Sequence, residues 1–524
     1  MLGALLMGAA ALPATTQAAD PPEGAAISPN LEYVTRMPEA NGITEGKFDE
    51  VRGKDVLVIT GRFGFKTYDV SEPAKPKLLD EFIPNDLAAG GYWQNEDMEL
   101  DTKRKLIIGA LDPRHTDSPL GACPAGGSTA NPACRSGFYV ISYANPSDLK
   151  QVGNFVPLPS GHTSSCIQDC KYIWTGGPAR RSDQLNLGPI LSPTAPAPYT
   201  FNRLVGDGRP IWVTDLTNPA KPDVSDQPVD IWRNDGYTDY SHDVDEDDEG
   251  IAWVSGRGGI RGYATRGRFR DPATDRRREA TPWSPILVAG GGVAGVSTPG
   301  PEGRFMHNSM RPLNGLVHAR GVRDGNILVG TEEQFNGACA DDGRLVFSDI
   351  TASLGGEPSQ NSTAEHPFRM RAIATWHPAL DTPETTAPNT DCSAHYFDIQ
   401  GATLTQAWYS QGTRVLDISN AARPRQIAFF RVQADGSADN PSSVVWDTTF
   451  HRGLLWVFDN SRGVEVLRLR GSTSRPGRLR SVVAPDALPD GFVARPVRDF
   501  ATSYVCPLFR APAAAVAAGV VTGT

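Results

Sequence analysis

The 524-residue chain is poor in histidine (nine), methionine (seven) and cysteine (seven), and it has no excess of positive charge: 50 Lys and Arg stand against 60 Asp and Glu, a net charge of −10. Phosphate contact wants a basic face, so nucleic acid is not an expected partner. Long hydrophobic runs are also missing. The C-terminal stretch Ala511–Val521 is too short to cross a membrane, and no membrane span is expected. No P-loop and no dinucleotide fingerprint occurs, and no G-x-S-x-G elbow sits at a plausible strand–helix turn. Charge is absent from the first 19 residues as well, the first Lys or Arg being Arg36. That segment is apolar and small, and it ends Thr16-Gln17-Ala18-Ala19 before Asp20. It resembles a secretory leader cleaved after Ala18 or Ala19, which makes residues 1–19 a signal peptide and the protein secreted or extracellular. A start upstream of Met1, or a disordered Ala-rich tail, are the alternatives.

What is abundant is turn chemistry, with 53 Gly and 43 Pro. The stretch Val56–Pro84 reads strand, turn, strand, Pro-punctuated turn, strand, and one such unit cannot bury its own faces. It recurs at Gly137–Phe155, Pro210–Asp223, Arg344–Asp349 and Thr413–Phe430. The strand after the turn repeats as well, with Pro five residues beyond an apolar position in Leu79–Pro84, Val152–Pro157 and Ile373–Pro378. Self-similarity of this kind decides the architecture before anything else. Seven units can be counted, opening near Gly46, Trp93, Gly161, Tyr240, Phe305, Ser393 and Ser442, the fourth with degenerate later strands. The expected fold is all-β, a seven-bladed β-propeller over residues 30–470 with a C-terminal extension at 471–524. Surplus length falls in loops at Asp112–Arg135, Arg180–Gly208, Arg266–Gly303 and Leu380–Cys392. The third of these is arginine-rich and reads as a solvated loop balanced by Asp271, Asp275 and Glu279, or as an anion or partner contact. Asn30–Pro38 matches the last strand of the other units, so it is expected to pair beside Val464–Leu469 and close the ring.

The runs VLVITG (56–61), GFKTYDVSEPAKP (64–76) and RVLDISNAARP (414–424) resemble LVIVD repeats of secreted and surface bacterial propellers. The resemblance implies the fold and no single activity. A more distant similarity, to the selenium-binding and methanethiol oxidase propellers, implies histidines near a central metal.

Four of the nine histidines open consecutive-type positions: His162 (SGHTSSC), His242 (YSHDVD), His307 (FMHNSM) and His395 (SAHYFD), with Glu96 at the equivalent place in the second unit. Innermost strands line a propeller axis, so these five side chains are expected to converge at one mouth of the channel. Imidazoles with a carboxylate suit Cu, Zn, Fe or Ni. The alternative is a repeated structural lock between blades. Asp97, Asp243 and Asp398 lie close by and could orient the rings or cap turns. Asp243–Gly250, DVDEDDEG, lacks a Glu at the twelfth position of a calcium loop and reads as an acidic hairpin. Trp174, Trp253, Trp408 and Trp456 share one repeat position on second strands and read as packing between blades.

An export signal makes disulfides the plain reading of the cysteines, as Cys123–Cys134, Cys166–Cys170 and Cys339–Cys392, with Cys506 left over. Two functions stay open: a secreted binding scaffold for a protein or small-molecule ligand, with a metal at the channel mouth, and a metal-dependent oxidoreductase using the same site. A fold alone does not choose between them.

Overall fold

The repeated Asp–apolar–Ser/Thr step builds the blades. In the computed structural model, Asp69, Asp215, Asp349 and Asp417 each end a third strand. Their Oδ1 atoms accept the backbone N–H two residues on, from Ser71 (3.1 Å), Thr217 (2.7 Å), Thr351 (2.9 Å) and Ser419 (3.0 Å). This is an Asx turn, which satisfies an amide that the ladder has released. The apolar residue between is Val70, Leu216, Ile350 or Ile418, each fully buried. Its own N–H returns to the loop before the second strand: Val70 to Asp55 O (2.8 Å), Leu216 to Lys171 O (2.8 Å), Ile350 to Asn326 O (3.0 Å) and Ile418 to Ala402 O (2.9 Å). The motif therefore staples strand three to strand two in four blades.

The structure describes residues 19–84, 96–111, 137–158, 161–176, 210–225, 229–230, 241–256, 259–271, 274–291, 293–294, 306–333, 343–351, 370–378, 393–433 and 440–470. Residues 1–18, the segment 471–524, and Cys123, Cys134, Cys339, Cys392 and Cys506 lie outside them, and with them the expected signal peptide, the C-terminal extension and two of the three expected disulfides. Among the described residues the strands form seven blades, antiparallel except where Val293–Ala294 pairs parallel with Met370–Trp376 in blade 5. Blade 1 is Ile43–Val51, Lys54–Gly61, Gly64–Asp69 and Lys77–Phe82. The innermost strands of blades 2 to 7 are Met98–Asp101, Thr163–Ile167, Ser241–Glu246, Met306–Met310, Phe397–Gln400 and Val445–His451. The outer strand of blade 7 comes from the other end of the chain. Leu31–Met37 pairs antiparallel with Gly463–Leu469, from Leu31 opposite Leu469 to Met37 opposite Val464. This is the closure that the Asn30–Pro38 repeat predicted, and it removes two free edges. Ala25–Ile27 adds a fifth strand to blade 6.

Apolar alternation fills the space between blades with separate clusters. Leu57, Ile59, Trp456 and Val466 pack blade 7 on blade 1. Ile173 and Trp212 join blade 3 to Leu106 and Val140 of blade 2. Trp174, Trp253, Trp408 and Trp456 are fully buried in such clusters, as packing requires. Trp408 departs from the shared position, since it falls one residue beyond its strand, Thr403–Ala407.

Two sequence readings need correction. The later strands of blade 4 are regular, Gly259–Ala264 and Ile286–Gly291, and the latter lies in what reads as loop Arg266–Gly303. The run GIRGYA hides its strand because the cavity it faces is already full. A Cβ on Gly262 would lie 2.7 Å from Cζ3 of Trp253, so only glycine fits. The arginine-rich part is itself a hairpin, Arg268–Asp271 against Arg276–Glu279. Two of its arginines are paired within it, Arg270 with Asp275 and Arg278 with Asp271. Cys166 and Cys170 form a disulfide across the turn that ends the inner strand of blade 3.

Candidate metal centre

A β-bulge at the head of the inner strands aims side chains at the axis. In blade 4, Ser241 pairs with Gly256 and Asp243 with Ser255, which leaves His242 as the extra residue. Thr44 of blade 1 and Trp446 of blade 7 occupy the same extra place, and in blade 5 His307 and Asn308 together oppose Thr331. A bulged residue leaves the two-residue alternation and is re-aimed. In blade 6 the His395 N–H donates to Ala407 O at 3.0 Å while Ala407 N–H donates to Tyr396 O, so two residues again oppose one.

The result is that all five expected residues meet. The ring centroids run His162–His242 4.4 Å, His242–His307 4.1 Å and His307–His395 3.9 Å. Nε2 of His162 and Nε2 of His242 are 2.7 Å apart. Glu96 reaches across the axis: its Oε2 contacts Nε2 of His162 and stands 3.4 Å from Nε2 of His242, and its Oε1 is 3.1 Å from Nε2 of His395. The cluster does not sit at an open mouth. Its five residues are at most 2% exposed and lie inside the axis.

The ring orientations come from backbone carbonyls. Nδ1 of His242 lies 2.9 Å from His307 O, and Nδ1 of His395 lies 2.6 Å from Trp446 O. A carbonyl only accepts, so Nδ1 carries a proton in both rings, and Nε2 of each is turned inward. The expected orienting acids do something else. Asp97 accepts Ser164 N–H and the Ser165 hydroxyl of blade 3, and Asp398 accepts the Thr449 hydroxyl and Phe450 N–H of blade 7. They tie neighbouring blades together. The acidic stretch after Asp243 is a hairpin turn closed by Gly250 N–H on Asp247 O, as read.

His307 has no hydrogen-bond partner on either ring nitrogen among the described residues, although it is fully buried. Leaving such a group unsatisfied costs about 1–3 kcal/mol. Two sets of ligand atoms lie within 4.8 Å of one another: Glu96, His242 and His307, and His307, Glu333 and His395. Glu333 was missed from sequence. It follows the second strand of blade 5, Ile327–Glu332, and the acid pair ending the apolar run ILVGTEE was the available signal. Its Oε1 accepts the Tyr409 hydroxyl.

Burial sets the charge states. Desolvation, aided by His162, pulls His242 down to about 3. Burial, then His395 and His242, holds His307 well below the usual imidazole value. Burial opposes the Glu96 charge, but His162 and hydrogen bonds from the imidazoles outweigh it and hold that carboxyl well below its ordinary value. Burial pushes Glu333 up to about 7, against the pull of His395. The centre thus sets two imidazoles held below their usual value, His242 and His307, beside an anionic carboxylate, a donor set suited to a first-row transition ion.

The fold defines the protein's class, a seven-bladed β-propeller with a buried axial His/Glu cluster. No family model and no curated protein matches the chain. Solved structures similar to it include the Cps50 (Swd1) β-propeller domain of Myceliophteria thermophila, at 8% identity over 84% of this chain and 100% of that one, TM-score 0.43. A protein from Lactobacillus plantarum shares 10% identity over 82% and 94%, TM-score 0.42. Sqt1 of Saccharomyces cerevisiae shares 9% over 84% and 88%, TM-score 0.41. Likeness at this level carries no functional argument.

Proposed function

We propose that this propeller is a scaffold that holds one transition-metal ion on its axis, between His162, His242, His307, His395 and Glu96. The carrying observation is the convergence of ligand atoms. Glu96, His242 and His307, and again His307, Glu333 and His395, bring their ligand atoms within 4.8 Å of one another inside the buried axis. Nδ1 of His242 and of His395 is committed to a backbone carbonyl, which leaves Nε2 of each turned toward the Glu96 carboxylate. The orphaned His307 ring supports the same reading. When bound, the ion would supply Lewis acidity or a redox couple, and this chain's groups would fix its position and exclude water. The LVIVD-like turns and the Cys166–Cys170 disulfide support a secreted protein of that repeat type, since disulfides persist in oxidising compartments. Protein purified without an affinity tag, offered Cu, Zn, Fe and Ni and then dialysed, should retain about one ion per chain. His242→Ala should retain none while still unfolding in one cooperative transition from a folded state. A wild type that retains no ion leaves the histidines as structural locks.

A second reading is a metal-dependent oxidoreductase, favoured by the Tyr409–Glu333 pair, whose tyrosine ring lies 4.8 Å from His395. Copper-loaded protein should then lose its Cu(II) electron paramagnetic resonance with ascorbate and regain it in air. A signal that ascorbate leaves untouched excludes this reading.

A further inference from the structure

The inner strands continue past the imidazoles, and their next axial positions carry oxygen instead of nitrogen. Directly after the head position of each strand come Glu45, Asp97, Asp243 and Asp447, from blades 1, 2, 4 and 7, all buried. Two residues further on, strand alternation brings Lys47, Glu99 and Asp245 to the same face. Exposure rises along this line. Glu96 is 1% exposed, Asp97 and Glu45 are 6% and 7%, and Glu99 and Lys47 reach 25% and 32%. The inner strands therefore lay a line of carboxylates that leads from the imidazole cluster toward solvent. The Lys47 ammonium stands in it, 2.9 Å from Glu99 Oε2 and 3.2 Å from Glu45 Oε1.

A second feature points to a ligand there. Among the described residues the Tyr396 hydroxyl is buried without a hydrogen-bond partner, on a residue only 7% exposed. Asp243, Asp97, Glu96 and Glu45 all act on it electrostatically, and its ring packs 4.5 Å from His307. It stands at the junction of the oxygen and nitrogen layers. Among the described residues, no three of these carboxylates bring ligand atoms within 4.8 Å of one another, whereas the imidazole cluster does so. The carboxylates along this line therefore form no three-ligand cage for a bare ion and would meet it one or two at a time.

Resting on the metal reading above, we infer that divalent cations reach the imidazole cluster along this line, drawn in by Glu99 and Asp245 and handed past Glu45, Asp97, Asp243 and Asp447, with Lys47 as a tethered competitor. Low-dielectric walls on which carboxylates outnumber the one ammonium focus a field and raise on-rates by about 10–10³-fold, with steep dependence on ionic strength. The same field turns anions away from this end.

Co²⁺ uptake by metal-free full-length protein, followed by its ligand-field absorption after rapid mixing, tests the route. Wild-type uptake should slow as NaCl is added. Glu99→Gln with Asp245→Asn should slow uptake at least about tenfold and leave the final Co²⁺ stoichiometry unchanged. Lys47→Met should speed uptake, a change of opposite sign that loss of folding cannot mimic. Full stoichiometry with unchanged rates in these variants overturns the route alone. No Co²⁺ bound by wild type at equilibrium overturns the metal reading and the route with it.

Discussion

Closure of the ring by Leu31–Met37 has a cost that can be worked out at its two ends. Leu31 packs in the cluster between blades 6 and 7, and Met37 in the cluster between blades 7 and 1. Leu31 is 6% exposed and Met37 2%, so each truncation to alanine leaves a cavity. Large-to-small changes of this kind cost about 2–5 kcal/mol. Six residue steps along the strand separate the two sites by roughly 20 Å, far enough for the effects to add. The double variant Leu31→Ala, Met37→Ala should therefore lose about 4–10 kcal/mol, comparable to the whole stability of an ordinary domain. Leu78, 41% exposed in an outer strand, is the control, and Leu78→Ala should change stability by less than about 0.5 kcal/mol. Chemical denaturation with fluorescence and circular dichroism reads all three. A double variant that unfolds at the wild-type midpoint would mean that the N-terminal strand is an ornament, and the account of closure would fail.

Gly46→Ala would place a Cβ 2.4 Å from Cε1 of the buried Phe458 ring, and overpacking of this kind costs about 1–3 kcal/mol. Phe458→Leu should partly rescue it, and a melt of the double variant checks that. Asp459 is fully buried, and burial, then Glu465, pushes its carboxyl up to about 7. A folded value raised above the unfolded one gives stability that is present below about pH 4 and lost as pH rises through 7. Asp459→Asn, which keeps an acceptor for the N–H groups of Val444, Ser461 and Arg462, should match wild type near pH 4 and gain up to about 4 kcal/mol above pH 7. Parallel stability curves for the two proteins from pH 4 to 8 would refute the assignment.

Most of the architecture was legible because its chemistry is local. Asp69-Val70-Ser71 and its repeats announce a turn whose donor, plug and acceptor all lie within three residues. The register of His162, His242, His307 and His395 was readable because each sits a short, similar distance ahead of a recognisable second strand. What was not legible depends on neighbours in space. Gly259–Ala264 lacks an apolar run because Trp253 supplies the bulk from the adjacent strand. Glu333 and Tyr409 meet across blades 5 and 6, a contact that no spacing in the chain encodes. The ring-orienting acceptors proved to be the carbonyls of His307 and Trp446, and a backbone carbonyl leaves no trace in residue identity. The depth of the cluster was misjudged for a similar reason. Strand-head positions suggest a mouth, but the structure buries them.

The central claim is that an ion sits among the imidazoles and not elsewhere on an acidic protein. X-ray absorption fine structure at the Zn K-edge, on stoichiometrically loaded and dialysed protein, tests it most directly. The account predicts a first shell of nitrogen and oxygen at about 2.0–2.1 Å, with outer-shell scattering from three or four imidazole rings that disappears in His307→Ala with His395→Ala. An oxygen-only shell without imidazole scattering would contradict it.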